Sequence, residues 1–272
     1  MDSSDFGYFM ENEDEALRLN LKTKRDVVEE QALFAGIKPG MRVIDMGCGP
    51  GKTTSILHSL AQPGGKAVGI DMSENRIHYA VDHYGKEGIR FVCMDMRHPL
   101  DELGEFDFLW IRFVLEYYRT DAWSIVQHVA RILKPGGILC LVDLDYNCMN
   151  HFELPERADK TTRELIEMLE VKANFDPYMG RKLYSYLYRM DFTDIKVNVG
   201  AHHLIYGNLS AVDSYNWIKK IEVASRKINF DFCHYSSGYA GYAEEFTAFL
   251  SDPGRFTYTP VISVCGCKSN RG

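Results

Sequence analysis

One short stretch constrains this chain more than any other. Arg42-Val-Ile-Asp-Met46 reads as a buried strand, and it runs into Gly47-Cys48-Gly49-Pro50-Gly51 before a helix opens at Lys52. Glycines at a strand-to-helix turn let a ligand approach the backbone closely. The free N–H groups of the helix start favour a negative or polar group there. The pattern around this loop repeats. Lys66-Ala-Val-Gly-Ile-Asp71, Ile89 to Met94, Phe106 to Ile111 and Ile138-Leu-Cys-Leu-Val142 are further short apolar runs. They alternate with helical stretches, so residues 36–145 predict a parallel sheet with crossover helices. Ser73 and Asp121 stand where helix caps are expected. The first 35 residues predict an amphipathic helix, about 13–34, in front of the sheet.

After Asp145 the alternation breaks. A helix over 155–172, a loop at Asn174-Phe-Asp-Pro177, a helix over 180–190, a strand over 194–204, a helical insertion over 208–250 and a last strand over 259–268 follow. At 272 residues the chain suits one large domain carrying insertions. Apolar residues make up 46% and charged ones 25%, which excludes extended disorder. The formal charge of -7 argues against a nucleic-acid partner, which calls for a basic stripe. No apolar run approaches the ~20 residues of a membrane span, and Met1-Asp2-Ser3-Ser4-Asp5 does not begin a secretory signal. The seven cysteines lack a Cys-x-x-Cys pair, so neither a disulfide framework nor a zinc ribbon is expected. The expected setting is reduced and cytoplasmic.

Three ligand classes use such a loop. A triphosphate-binding loop needs four residues between its glycines, whereas Gly47 and Gly51 enclose three, and the fourth strand does not end in a magnesium-binding Asp. A dinucleotide loop places glycine first, third and sixth, and here the sixth residue is Lys52. The third class fits beyond the loop. Asp71 ends the second strand, where a carboxylate can accept both hydroxyls of a ribose, and Met72 follows it. Asp95-Met96 ends the third strand and suits an exocyclic amine. Two carboxylates without basic partners at motif positions favour an adenosine with a cationic tail.

With these residues in view, the chain resembles the class I, seven-stranded S-adenosylmethionine-dependent methyltransferases. Pro39-Gly-Met-Arg-Val-Ile-Asp-Met-Gly-Cys-Gly-Pro-Gly51 resembles their first motif, Gly69-Ile-Asp71-Met72-Ser73 the second, and Asp95-Met96 the third. Leu133-Lys-Pro-Gly-Gly137 resembles the turn before their fifth strand. The resemblance covers about residues 36–145. It implies a Rossmann-like, doubly wound α/β sheet of about seven strands, mostly parallel with an antiparallel last strand. It also implies residues 1–35 closing over the cofactor and lid insertions at about 147–180 and 206–252. Asp45, Gly47 and Gly49, with Cys48 as a small residue between them, would cradle the methionine portion of S-adenosylmethionine. Asp71 would hold the ribose, and Met72, Asp95 and Met96 the adenine. Arg112 would lie beside the sulfonium, and Tyr8 and Arg18 would reach the methionine carboxylate. The product would be S-adenosylhomocysteine.

Small-molecule members often have a His where Val114-Leu115-Glu116-Tyr117 stands, so a histidine role there is not expected. His151, in the segment overhanging the strand ends, is the candidate catalytic base; His202 and His203 are alternatives, one facing inward and the other outward. Eleven of the 16 tyrosines lie after residue 145. Aromatic walls with hydroxyl tips suit a small apolar or aromatic acceptor, methylated on O, N or C. A monomer or homodimer is expected, without metal. The competing readings are a cofactor-binding sensor or scaffold without transfer and, less favoured, an NAD-dependent oxidoreductase.

Overall fold

The computed structural model describes residues 15–269. The amphipathic N-terminal segment is two helices rather than one, α1 (Glu15–Lys22) and α2 (Arg25–Ala35). The break has a local cause. Thr23 donates its hydroxyl to the Leu19 carbonyl, 2.9 Å, and Lys24 is extended at φ -87° and ψ 128°. A side chain that bonds its own preceding turn competes with helix continuation.

Next come β1 (Arg42–Met46), α3 (Lys52–Leu60), β2 (Lys66–Asp71), α4 (Glu74–Tyr84), β3 (Ile89–Cys93), β4 (Phe106–Arg112), α5 (Ala122–Val129) and β5 (Leu133–Leu144). These five strands are parallel in the order β3-β2-β1-β4-β5. Ser73 caps α4 as expected, accepting from the Arg76 N–H, whereas Asp121 makes no side-chain cap to α5. The second half adds a two-residue β6 (His151–Phe152), α6 (Glu156–Lys172), α7 (Leu183–Arg189), β7 (Thr193–Ile205), α8 (Ala211–Lys227), α9 (Tyr239–Ser251) and β8 (Phe256–Cys267). The last strand lies antiparallel between β5 and β7 rather than at an edge, and β6 pairs with its beginning.

Both faces of the sheet are covered, so strand residues alternate between two apolar layers. Ile44 and Met46 pack with Leu109, Ile111 and the residues of α5 and α7. Val43 faces the opposite layer with Val28 and Ala32 of α2 and Leu57 of α3. The helices α6, α8 and α9 do not share either layer. They build a third core around Ile166, Leu169, Trp217, Tyr242 and Phe246, and the buried Tyr242 hydroxyl is satisfied by Thr162 at 2.7 Å. This cap stands over the carboxyl ends of the strands. No helix among the described residues is long and apolar enough to cross a membrane.

Candidate active site

Parallel strands leave a crevice at their carboxyl ends, where the chain leaves each strand for its crossover. Here β1, β2, β3 and β4 all contribute to one cleft. Gly47, Cys48, Gly49 and Pro50 line it from the first crossover, Asp71 and Met72 from the second, Asp95 and Met96 from the third, and Arg112, Phe113 and Val114 from the fourth. Arg18, Leu19 and Lys22 of α1 close it from above. That helix is pinned through Asn20, which accepts hydrogen bonds from Lys52 and Tyr84.

Gly47, Gly49 and Gly51 have φ of +74°, +53° and +87°. Other L residues pay for that region, and the turn uses it to fold back between β1 and α3. The N–H groups of Gly47 and Cys48 both bond the Ile70 carbonyl at 2.8 Å, which locks the loop to β2. Asp71 completes the lock. Its Oδ2 accepts from the Gly49 N–H at 2.9 Å, and its Oδ1 accepts from Ser73 N–H and from Nε and Nη2 of Arg76. The Arg76–Asp71 pair is almost wholly buried. Arg76 was not singled out in the sequence because nothing marks one arginine of an exposed-looking helix turn as a buried partner. Among the described residues the Asp71 Oδ2 takes one donor, the Gly49 N–H, so lone-pair capacity remains for hydroxyl donors.

Asp95 is also paired, with Arg97 at 2.6 Å, and that guanidinium stacks on Tyr118. The Arg97 hydrogen bonds hold the Asp95 carboxyl below its ordinary value against the opposing effect of burial. Both strand-end carboxylates thus have basic partners, contrary to the sequence expectation. Met96 is buried and Met72 is 42% exposed, its sulfur approached by the Tyr118 hydroxyl at 3.7 Å. Arg112 bonds Gln31 of α2 at 3.0 Å and lies over the Phe113 ring. Burial lowers its guanidinium to about 10, opposed by the charges of Asp45 and Asp143.

Three expectations do not match the placement of the residues. Asp45 is on the Val43 face of β1, so it points to α3 and accepts from the Thr54 hydroxyl at 2.7 Å, outside the cleft lining. His151 is outside the lining as well. Its ring nitrogens are engaged by Thr257 at 2.9 Å and the Cys148 carbonyl at 3.1 Å, and its ring packs against Trp217, Phe246 and Phe249. Burial pushes it down to about 4, so it is neutral at physiological pH. His202 and His203 do not alternate, because the pairing of β7 with β8 slips between Ala201 and His203. Both rings are half-buried and adjacent, and His202 lines the cleft. Tyr8 lies outside the described residues. Arg18 lines the cleft and pairs with Glu15 at 2.6 Å.

The sequence missed the polar end of the cleft. Glu116, Lys220 and Lys22 line it from the turn after β4, from α8 and from α1. Asn147 links two of them, donating to the Glu116 carboxylate at 2.7 Å and accepting from Lys220 at 3.0 Å. Glu116 is 3% exposed, and burial raises its carboxyl, opposed by Lys220, Asn147 and Lys22. Only the stretch Val114–Tyr117, which lacks the family's histidine, gave a signal there.

Asp45 makes a separate expectation testable. Burial lifts its carboxyl from 3.8 to about 7, opposed by the Thr54 hydrogen bond and reinforced by the Asp71 charge. Between those values the folded protein keeps a proton that the unfolded chain has released. The stabilisation is therefore complete below the unfolded value and is lost as pH rises through about 7. In urea unfolding, the stability of the wild type minus that of Asp45→Asn should fall from pH 4 to 7 and then level off. His151 and Lys22 titrate in both proteins and cancel. Parallel curves would show that Asp45 is ionised in the fold.

Residues 44–141 match the family described as Methyltransferase domain. This part of the chain is a methyltransferase domain. Its residues are 31% identical over 106 positions to a demethylmenaquinone methyltransferase of Lactococcus lactis, covering 38% of this chain and 42% of that enzyme. The match thus spans less than half the length of that curated relative. Solved structures share the fold over most of the chain. Haemonchus contortus phosphoethanolamine N-methyltransferase 2, bound to phosphomonomethylethanolamine and S-adenosylhomocysteine, superposes with a TM-score of 0.60 at 16% identity, covering 98% of this chain and 60% of that one. The (4+2)-cyclase SpnF superposes at 0.54 with 16% identity over 90% of this chain and 82% of its own. At such identities the likeness is one of fold.

Proposed function

We propose that this chain transfers a methyl group from S-adenosylmethionine to an O, N or C atom of a small-molecule acceptor. The observation that carries the reading is the convergence of three separated motifs, at Gly47–Gly49, Asp71-Met72 and Asp95-Met96, on one cleft inside a methyltransferase domain. The residues suit the cofactor. The Asp71 carboxylate has capacity for a ribose diol, Met72, Met96 and Tyr118 offer polarisable and aromatic faces for a base, and the glycine loop leaves room beside its backbone. Bound there, S-adenosylmethionine supplies a methyl group already activated on sulfur.

What remains for the protein is orientation, exclusion of water and, for a protonated acceptor, removal of one proton. Glu116 is the residue for that last task. It lines the cleft, and burial raises its carboxyl above that of an exposed glutamate, the direction that favours a base. His151 is neutral but turned away, so it serves the cap core. The fold similarity to a cyclase keeps a second reading in play, a domain that binds the cofactor without transferring its methyl.

Calorimetric titration with S-adenosylhomocysteine, with NAD and ATP as controls, tests the cofactor class. Micromolar binding of the first alone is expected. Binding of NAD or ATP without it would overturn the reading. Product formation from labelled S-adenosylmethionine separates transfer from mere binding.

A further inference from the structure

The polar end of the cleft carries more positive charge than the described residues neutralise. Lys22 is half-buried and makes no hydrogen bond among the described residues, while Lys220 bonds the amide oxygen of Asn147 and lies over the Trp217 ring. Facing Lys22 are Lys220, Arg18, Glu116 and Cys148. Arg18 is held by Glu15, so its charge is already answered. Among the described residues, Glu116 is the carboxylate set against these two ammonium groups, and Asn147 bonds it. A cation in a partly dry crevice without an anion is costly, because its lost hydration is not replaced. One further observation points into the same space. The Nε2 of His202, which lines the cleft, is buried without a hydrogen-bond partner among the described residues. Buried polar atoms without partners are uncommon in folded proteins, and one that faces a cleft can be satisfied by a ligand bound there. The walls beside them, Phe113 and Tyr117, are aromatic.

We propose that the acceptor is an anionic small molecule, whose carboxylate or phosphate sits between Lys22 and Lys220 while its apolar body rests on Phe113 and Tyr117. The inference rests on the transferase reading only for calling that ligand the acceptor. An anion there answers both ammonium groups, and the neutral His202 ring offers one more hydrogen bond, as donor or acceptor according to its tautomer. Such a clamp would fix the anionic end and direct the rest of the molecule along the aromatic wall toward the glycine loop. Burial, with the charges of Lys220 and Arg18, lowers the Lys22 ammonium to about 7, and a bound anion would draw its proton back.

The test is calorimetric titration of the full-length protein, with and without S-adenosylhomocysteine, using four probes. Benzoate is compared with benzamide, and phenyl phosphate with phenol. At least one anion should bind about tenfold more tightly than its neutral counterpart, the size of a charge-assisted hydrogen bond. Which anion shows the preference distinguishes carboxylate from phosphate. The preference should vanish in Lys22→Met and Lys220→Met and survive in Lys220→Arg. Equal binding of charged and neutral probes, absence of binding by all four, or a preference that persists in both methionine variants would overturn the anion clamp. The two failures are distinguishable. Loss of the anion preference with intact S-adenosylhomocysteine binding removes this inference alone. Intact preference without S-adenosylhomocysteine binding removes the transferase reading and leaves an anion site.

Discussion

Asp71→Ala is expected to weaken S-adenosylhomocysteine binding by about a hundredfold or more, since hydrogen bonds to a charged group are each worth about 1.5–3 kcal/mol. It should also lower stability, for a different reason. The Asp71 carboxylate joins the Gly49 N–H, the Ser73 N–H and the Arg76 guanidinium, all within 2.8–3.1 Å. Removing it takes the carboxylate from a buried arginine, and breaking a buried pair from one side costs about 3–5 kcal/mol. A loss of affinity in this variant could therefore be read as a loss of fold. Asp71→Asn separates the two effects. The amide oxygen can keep the hydrogen bond from Gly49 or the one from Ser73, not both, and the variant gives up the negative charge that answers Arg76. Asp71→Ala combined with Arg76→Met removes both charges, and replacing a buried pair by apolar groups is often neutral for stability. Denaturation midpoints should thus rank the single alanine variant lowest and the double variant above it. S-adenosylhomocysteine affinity should stay lost in both. Recovery of affinity in the double variant would show that Asp71 serves the loop and not the ligand.

The frame of this site was legible in the sequence because its signals are local. A glycine at a positive φ, a strand that ends in Asp and a serine before a helix are each decided within a few residues, so Gly47, Asp71 and Ser73 fell where expected. Asp45 shows the limit of that logic. Its position in the motif suggests contact with a ligand, yet the period of two along β1 puts it with Val43, against α3 and Thr54. His151 failed for a related reason. It is at the correct end of the sheet, but the cap core of Trp217, Phe246 and Phe249 is assembled from residues 66 to 98 positions away and encloses it. The same distance hid the polar end of the cleft. Lys22, Glu116, Asn147 and Lys220 come from four separate elements, and no spacing in the chain relates them. His202 was read by strict alternation, which the slipped register of β7 does not keep. What the sequence withheld was therefore long-range: which polar residue faces which, once helices from the second half close over strands from the first.

The second large effect is expected at Gly47. Alanine there would keep φ at +74°, at a cost of roughly 1–2 kcal/mol for a left-handed residue. Its Cβ would also stand 2.5 Å from Cγ2 of Val114, so one of the two segments must move. Overpacking of this kind costs about 1–3 kcal/mol. Either movement reaches the ligand. If the loop gives way, Gly49 leaves Asp71; if Val114 gives way, the turn that carries Glu116 shifts with it. Gly47→Ala should therefore lose stability by roughly 2–5 kcal/mol, the sum of those two costs. Its S-adenosylhomocysteine affinity should fall by at least about tenfold. The two costs separate in one further variant. Val114→Ala added to Gly47→Ala removes the methyl groups that the new Cβ meets and leaves the backbone strain in place. Stability and affinity should then recover in part, and Val114→Ala alone should not raise either. A double variant no better than Gly47→Ala would assign the whole effect to the backbone. In that case the approach of the β1 and β4 turns would carry no part of the site's geometry.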